Sequence, residues 1–396
     1  MNIALLTHSV RPRGGVIHTL ELADALSQRG HRVTVIASAE PGETLFRATA
    51  FPVELIRLPV LTGDLVEQVR QRIEALVAAL PAVLQRGGFE LLHAQDSVSG
   101  NALALLRERG VRVPHCLRTV HHLDVFAQET LNRWQARAWR AADGVACVSD
   151  TWCAHFREHF GVSPARMFNG VDLRRYRPVA DALDGPRLQS LGLADEAGPV
   201  CLLVGGVEER KNTVRVLHAF ATLRRDDPAW AHARLVVAGG ASMLDHSSAR
   251  RAWQQALGEL GLAEGPGAPV LRTGPLPDEM LPTLMRRADV LAMPSLVEGF
   301  GLVALEALAC GTPVLVSSRP PFTEHLRDEA AVAWCDPERI ESIAAGLQSA
   351  ARMPKLDAPP AVCLAHAWER SAALHEAWYL RTLRESISTP AEAITT

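Results

Sequence analysis

Along the chain, short apolar runs rich in Val and Leu alternate with longer stretches whose apolar residues recur at helical spacing. Strands covered by helices on both sides read as continuous apolar runs, so this alternation predicts parallel sheets of the α/β class. It occurs twice. The first set of predicted strands covers 3–7, 33–38, 91–94, 116–120 and 144–148, and the second 200–204, 235–238, 270–273, 290–293 and 314–317. Between the sets, 176–198 is rich in Pro, Gly and Asp without a long periodic pattern, which places a junction near residue 175. The expected organisation is two α/β domains, each an open parallel sheet covered on both faces by helices, 1–175 and 176–370, followed by a segment 371–396. That segment holds a helix over 371–385 and a frayed tail over 386–396.

Length agrees with two domains, since 396 residues exceed what one hydrophobic core usually organises. With 48 % hydrophobic and 21 % charged residues of mixed sign, the composition is that of a globular protein. A net charge of -3 argues against a general nucleic-acid binder, which needs clustered excess Lys and Arg. No apolar run approaches the ~20 residues that span a bilayer. The opening Met1-Asn2-Ile3-Ala4-Leu5-Leu6 lacks a basic flank and reads as a buried strand, so a cytoplasmic location is expected, with room for a peripheral membrane contact. The seven cysteines are scattered, form no Cys-x-x-Cys pair and are expected to be buried thiols. No metal site is expected.

Open α/β sheets bind ligands at the carboxyl ends of their strands, so two such sheets facing one another would share a central cleft there. One segment of the second half carries the strongest candidate chemistry. Pro294-Ser295 ends a strand, Glu298-Gly299-Phe300-Gly301 makes a loop, and 302–310 forms a helix closed by Gly311 and Pro313. A glycine-rich helix entry lets backbone N–H groups approach an anion, and the helix dipole favours phosphate. Glu306 lies in a helix that is otherwise apolar all round, so it is expected to be buried and needs a partner. A ribose diol would serve, as would an Arg or Lys elsewhere in the fold. Glu298 stands before the helix start, where the dipole stabilises a carboxylate whether or not it also accepts hydrogen bonds from a sugar.

Glu298-Gly299-Phe300-Gly301-Leu302, with Glu306 eight positions after Glu298, resembles the retaining glycosyltransferases of family 4. Ala288-Asp289-Val290, Gly311-Thr312-Pro313-Val314, Phe322-Thr323-Glu324, Val204-Gly205, Arg210-Lys211-Asn212 and Asn169-Gly170-Val171-Asp172 fall in that family's order. So do Pro12-Arg13-Gly14-Gly15, Gly30-His31 and Thr119-Val120-His121 in the first half. The opening 5–12 resembles a bacterial branch of the family. The resemblance implies the GT-B architecture, two Rossmann-like, doubly wound parallel-sheet domains facing a central cleft, with the donor held mainly by the second domain, the acceptor mainly by the first, and the last helix crossing back to the first.

The resemblance also assigns roles. Glu298 would contact donor sugar hydroxyls, Glu306 the ribose, and the amides of Gly299, Phe300, Gly301, Leu302 and Val303 the sugar and diphosphate. Lys211, helped by Arg210, would neutralise the leaving diphosphate, where fixed cations stabilise developing charge; an exposed helix start is the plainer reading of the two residues. Gly14 and Gly15 would let the backbone approach phosphate from the first domain, or simply form a turn. His121 would stand beside the anomeric centre, although a histidine at a strand end is often structural and His122 follows it.

One departure concerns charge: the family commonly has Arg after the glycine of Val204-Gly205, and this chain has Gly206, leaving Arg210 or Arg13 to supply the cation. No Asp-x-Asp occurs, so a bridging metal has no evident ligands and no cofactor is expected beyond the nucleotide-sugar substrate. The expected activity is metal-independent, retaining transfer from a nucleotide diphosphate sugar to an unidentified acceptor. A phosphorylase or sugar-nucleotide epimerase of the same fold, or a catalytically silent nucleotide-sugar-binding protein, are the alternatives. The nucleotide base, the sugar and the oligomeric state are not fixed by these residues.

Overall fold

The computed structural model describes residues 1–194, 198–240 and 246–388. Contacts divide the chain into two compact units, one formed by Met1–Gly170 with the last helix, Trp368–Ser388, and one by Val171–Ala367. The sequence reading placed the junctions at 175 and 370; the contact boundaries follow Gly170 and Ala367.

The first unit is built on β1 (Asn2–Thr7), β2 (Arg32–Ala39), β3 (Val53–Arg57), β4 (Leu91–Ala94), β5 (His115–Val120), β6 (Gly144–Cys147) and β7 (Ala165–Arg166). They form one sheet in the order β3-β2-β1-β4-β5-β6-β7, and every pairing is parallel. Ile3, Ala4, Leu5 and Leu6 are each at most 1 % exposed, because helices cover both faces of β1. On one face Leu6, Ile36 and Leu92 meet Ile73, Leu76 and Leu80 of the helix Leu65–Gly87 and Leu103 of the helix Ser97–Glu108. On the other face, the helix Trp368–Ser388 packs along the helix Gly14–Gln28.

The second unit contains β8 (Val200–Val204), β9 (Arg234–Ala238), β10 (Val270–Gly274), β11 (Val290–Met293), β12 (Val314–Ser317) and β13 (Val332–Cys335). Their order is β10-β9-β8-β11-β12-β13, again all parallel. Leu203, Val237, Ala292 and Leu315 share a core with Phe220, Trp253 and Leu347 from the covering helices. Both sheets are thus doubly wound, and each reverses strand order at one place, between β1 and β4 and between β8 and β11.

Three strands escaped the sequence reading: β3, β7 and β13. β3 is an edge strand of the sequence Val-Glu-Leu-Ile-Arg, only partly buried, so it lacks the continuous apolar signature. β7 has two residues, and β13 follows an Ala-rich stretch that reads equally as helix. A short helix, Asp184–Ser190, also interrupts the segment read as a linker; residues 195–197 of that segment lie outside the described residues. The last helix runs to Ser388, beyond the expected 385, and the remainder of the expected frayed tail, 389–396, lies outside the described residues. All seven cysteines are buried and unpaired. Among the described residues no helix is long and apolar enough to cross a membrane.

Candidate active site

In the second unit a small cavity of about 10 Å³ lies between the carboxyl ends of β8 and β11, where the strand order reverses. Gly205, Gly206, Lys211, Thr213, Ser295 and Val303 are among the residues that line it. Gly205 has a φ of 120°, which favours glycine, and a Cβ there would lie 2.5 Å from Nζ of Lys211, so the bare backbone leaves the lysine its place. The Lys211 ammonium donates to the Val204 carbonyl at 2.8 Å. Burial lowers its pKa, as does nearby Arg210, while Glu298 and Glu208 act in the opposite direction.

Asn212 fixes the loop that carries these groups. It is the one non-glycine residue of positive φ, 62°, among the described residues, and it is 3 % exposed. Its side-chain amide donates to the carbonyls of Pro294 (3.1 Å) and Pro337 (2.5 Å), and the Leu296 N–H donates to the Arg210 carbonyl at 2.8 Å. The turn after β8 is thereby tied to the end of β11.

The helix Leu302–Ala309 starts at this place. Its N-cap, Gly301, has a φ of 95° and no side chain caps the first turn, which leaves amide donors at the positive end of the helix dipole. Val303 is the residue of this helix that lines the cavity. Phe300 is 2 % exposed and its ring stacks on His325 with centroids 4.6 Å apart, so its side chain packs into the unit and does not face a ligand. Glu298 accepts from the Gly299 N–H at 3.0 Å and from the Ser295 hydroxyl at 3.4 Å, which keeps its carboxylate beside the cavity rim. Glu306 is 3 % exposed, and its charge acts on Arg175, whose guanidinium is held by Asp278. A cation of the fold thus acts on Glu306, one of the two kinds of partner that its burial calls for.

Arg210 does not stand free at a helix start. Its Nη2 lies 3.1 Å from Oε2 of Glu208 and its Nη1 3.9 Å from Oε2 of Glu298. Glu208 is 3 % exposed and was not singled out in the sequence; its only signal there was a carboxylate beside a basic pair at the end of an apolar run.

In the first unit, His121 follows β5 and Gly15 opens the helix Gly14–Gln28. A Cβ on Gly15 would lie 3.8 Å from the His121 ring, whereas nothing lies near one on Gly14. His122 turns instead to Asp124, at 3.4 Å. Behind His121 the structure assembles a row of imidazoles that the sequence left scattered. His18 meets His121 edge-on at 4.7 Å between centroids, His375 lies 5.9 Å from His18, and His93 lies 5.8 Å from His375. Asn169 accepts from Nδ1 of His18 at 2.9 Å, while Tyr379 and Thr119 bond the two ring nitrogens of His93 at 2.7 and 2.8 Å. Burial holds the His121 pKa well below its ordinary value, reinforced by His18, Arg118, His122 and His93. His121 is therefore a neutral ring near pH 7, suited to hydrogen bonding and not to carrying a charge.

Residues 190–360 match the family model described as Glycosyl transferases group 1, and residues 12–175 that of Glycosyltransferase Family 4. The D-inositol 3-phosphate glycosyltransferase of Rhodococcus opacus (strain B4) is 30 % identical over 386 residues, covering 91 % of this chain and 84 % of that protein. The chain belongs to glycosyltransferase family 4. It is a glycosyltransferase of GT-B type. A protein of the same description from Thermobifida fusca (strain YX) is 30 % identical over 80 % of this chain and 75 % of its own. Among solved structures, sucrose-phosphate synthase from Thermosynechococcus elongatus shares the fold with a TM-score of 0.78 at 23 % identity, over 97 % of this chain and 99 % of that one. Anabaena Alr3699/HepE in complex with UDP and glucose has a TM-score of 0.67 at 19 % identity, over 98 % of this chain and 100 % of that one. Gly206 lines the cavity without contributing a side chain.

Proposed function

We propose that this family 4 enzyme transfers a sugar from a nucleoside diphosphate to an acceptor with retention of anomeric configuration and without a metal ion. The observation that carries the donor side is the cavity at the β8/β11 reversal, where Lys211 and the uncapped first turn of Leu302–Ala309 meet. An ammonium and a helix dipole supply the positive potential that a leaving diphosphate needs, which supports chemistry without a bridging cation. Glu298 would accept from sugar hydroxyls, and Glu306 from the ribose. The neutral His121 beside Gly15 would hydrogen-bond the transferred sugar or the acceptor.

In the reaction, the acceptor hydroxyl attacks the anomeric carbon from the face that the diphosphate leaves. The bond from that carbon to the phosphate oxygen breaks, the new glycosidic bond forms, and the departing phosphate takes the hydroxyl proton. UDP sugars are the first donors to test because Alr3699/HepE is in complex with UDP, and D-inositol 3-phosphate is the first acceptor because relatives are named for it. The expected result is turnover of one nucleotide sugar from a UDP, GDP and ADP panel, unchanged by a chelator, with product of the donor's configuration by NMR. Loss of rate with chelator, or an inverted product, would sink the mechanism. Replacing Glu306 by Ala should weaken donor binding by about tenfold or more, since hydrogen bonds to a charged group contribute roughly 1.5–3 kcal/mol. Unchanged affinity by calorimetry would remove Glu306 from the site.

A further inference from the structure

A diphosphate carries more charge than one ammonium offsets, and the Lys211 ammonium is already engaged by the Val204 carbonyl. Gly206 adds no side chain to the cavity wall. A second cation beside this turn is Arg210, whose backbone is fixed by the Leu296 N–H but whose long stem would leave the guanidinium free to wander. Glu208 limits that freedom. Its carboxylate is 96 % enclosed, one oxygen lies 3.1 Å from Arg210, the other lies 4.0 Å from Nε2 of His246, and its carbonyl accepts from the Thr213 hydroxyl at 3.5 Å. A carboxylate so enclosed must have its charge compensated, so the ion pair is held by burial and not by chance. On its far side Arg210 faces Glu298, 3.9 Å away, which the Gly299 N–H and Ser295 hydroxyl hold in place.

We propose that Glu208 is a positioning residue that holds the Arg210 guanidinium between itself and Glu298, so that the donor diphosphate meets a preset second cation beside Lys211. This rests on the donor site proposed above. Because the guanidinium is oriented before the substrate arrives, its benefit falls on the step in which charge moves to the phosphate, and kcat should suffer more than KM when the pair is broken.

The test is donor turnover and UDP, GDP and ADP binding by calorimetry, with melting temperature as the control for folding. Glu208→Gln should lower kcat by about tenfold while changing the donor KM much less. Combining it with Arg210→Gln should be no slower than Arg210→Gln alone, since both remove one interaction. Gly206 lines the cavity beside Lys211, so Gly206→Arg adds a guanidinium to that wall and should restore most of the rate lost in Glu208→Gln. Wild-type kcat in Glu208→Gln, fully additive losses in the double variant, or no rescue would each overturn the proposal. Should Glu208→Gln fail to fold, Glu208→Asp, which shortens the reach to Arg210, takes its place with the same expected loss of kcat and the same rescue by Gly206→Arg, and wild-type kcat there overturns the proposal. A wild-type protein that binds none of the three nucleotides would remove the functional reading along with this inference, whereas nucleotide binding with an unaltered Glu208→Gln removes this inference alone.

Discussion

Gly301 combines a φ of 95° with a neighbour, Phe322, whose ring would lie 2.5 Å from any Cβ added there. Gly301→Ala therefore meets both backbone strain and a clash, and should destabilise the second unit by about 1–3 kcal/mol in urea unfolding. It should also move the helix entry enough to abolish nucleotide binding. At Asn212 the sequence showed only a polar residue in family order, but the structure gives it a left-handed backbone and two carbonyl partners. Asn212→Ala should cost roughly 2–3 kcal/mol, and Asn212→Gly should recover only the backbone part, because the buried carbonyls of Pro294 and Pro337 would lose the amide in both. Equal stabilities for Asn212→Gly and wild type would show that the hydrogen bonds contribute nothing. The motif glycines and the two glutamates could be read in advance because their chemistry is local. Glu208 could not, since only the fold buries it against Arg210.

The helix Trp368–Ser388 belongs with the first unit although most of the chain separates them in sequence. Ser371 donates to the Phe168 carbonyl at 2.6 Å, Tyr379 bonds His93, and Glu376 accepts from Nε of Arg29 at 2.7 Å. Its docking buries His375 against His18 and His93. Burial brings the pKa of His18 down to about 3 and that of His375 down to about 4, against the ordinary 6.5 of a histidine. In the unfolded chain these rings take up protons as pH falls through ~6.5, while the folded rings stay neutral until near their own lower values, so stability is full above that pH and declines below it. Each ring should contribute about 1.4 kcal/mol of loss per pH unit in that window, and denaturant unfolding of the first unit at pH 7.5, 6 and 5 should show the slope. Most carboxylates are still ionised there, so His18→Gln should flatten the curve. An unchanged slope in that variant would mean that the imidazole row does not govern acid stability. The period of the last helix was legible; that it closes over histidines from β4 and the helix Gly14–Gln28 was not, because those residues meet only through packing.

For the molecule as a whole, a ligand held only by the native state raises stability by an amount set by its concentration over Kd, about 2.7 kcal/mol at a hundredfold excess. The matching nucleoside diphosphate should accordingly raise the melting transition of the second unit and leave the acid-sensitive unfolding of the first largely unchanged. A shift confined to the first unit's transition would place the donor elsewhere. The sequence by itself determined the α/β class, ten of the thirteen strands, the helix entry at Gly301 and family 4 membership. These follow from patterns of period and local chemistry that survive without tertiary contacts. Only the tertiary structure decided that Arg210 is shared by Glu208 and Glu298, that His121 lies against Gly15 with a neutral imidazole row behind it, and that Asn212 ties β8 to β11. The reason is physical: burial and charge pairing between residues distant in sequence fix ionisation and orientation, and a linear pattern carries neither.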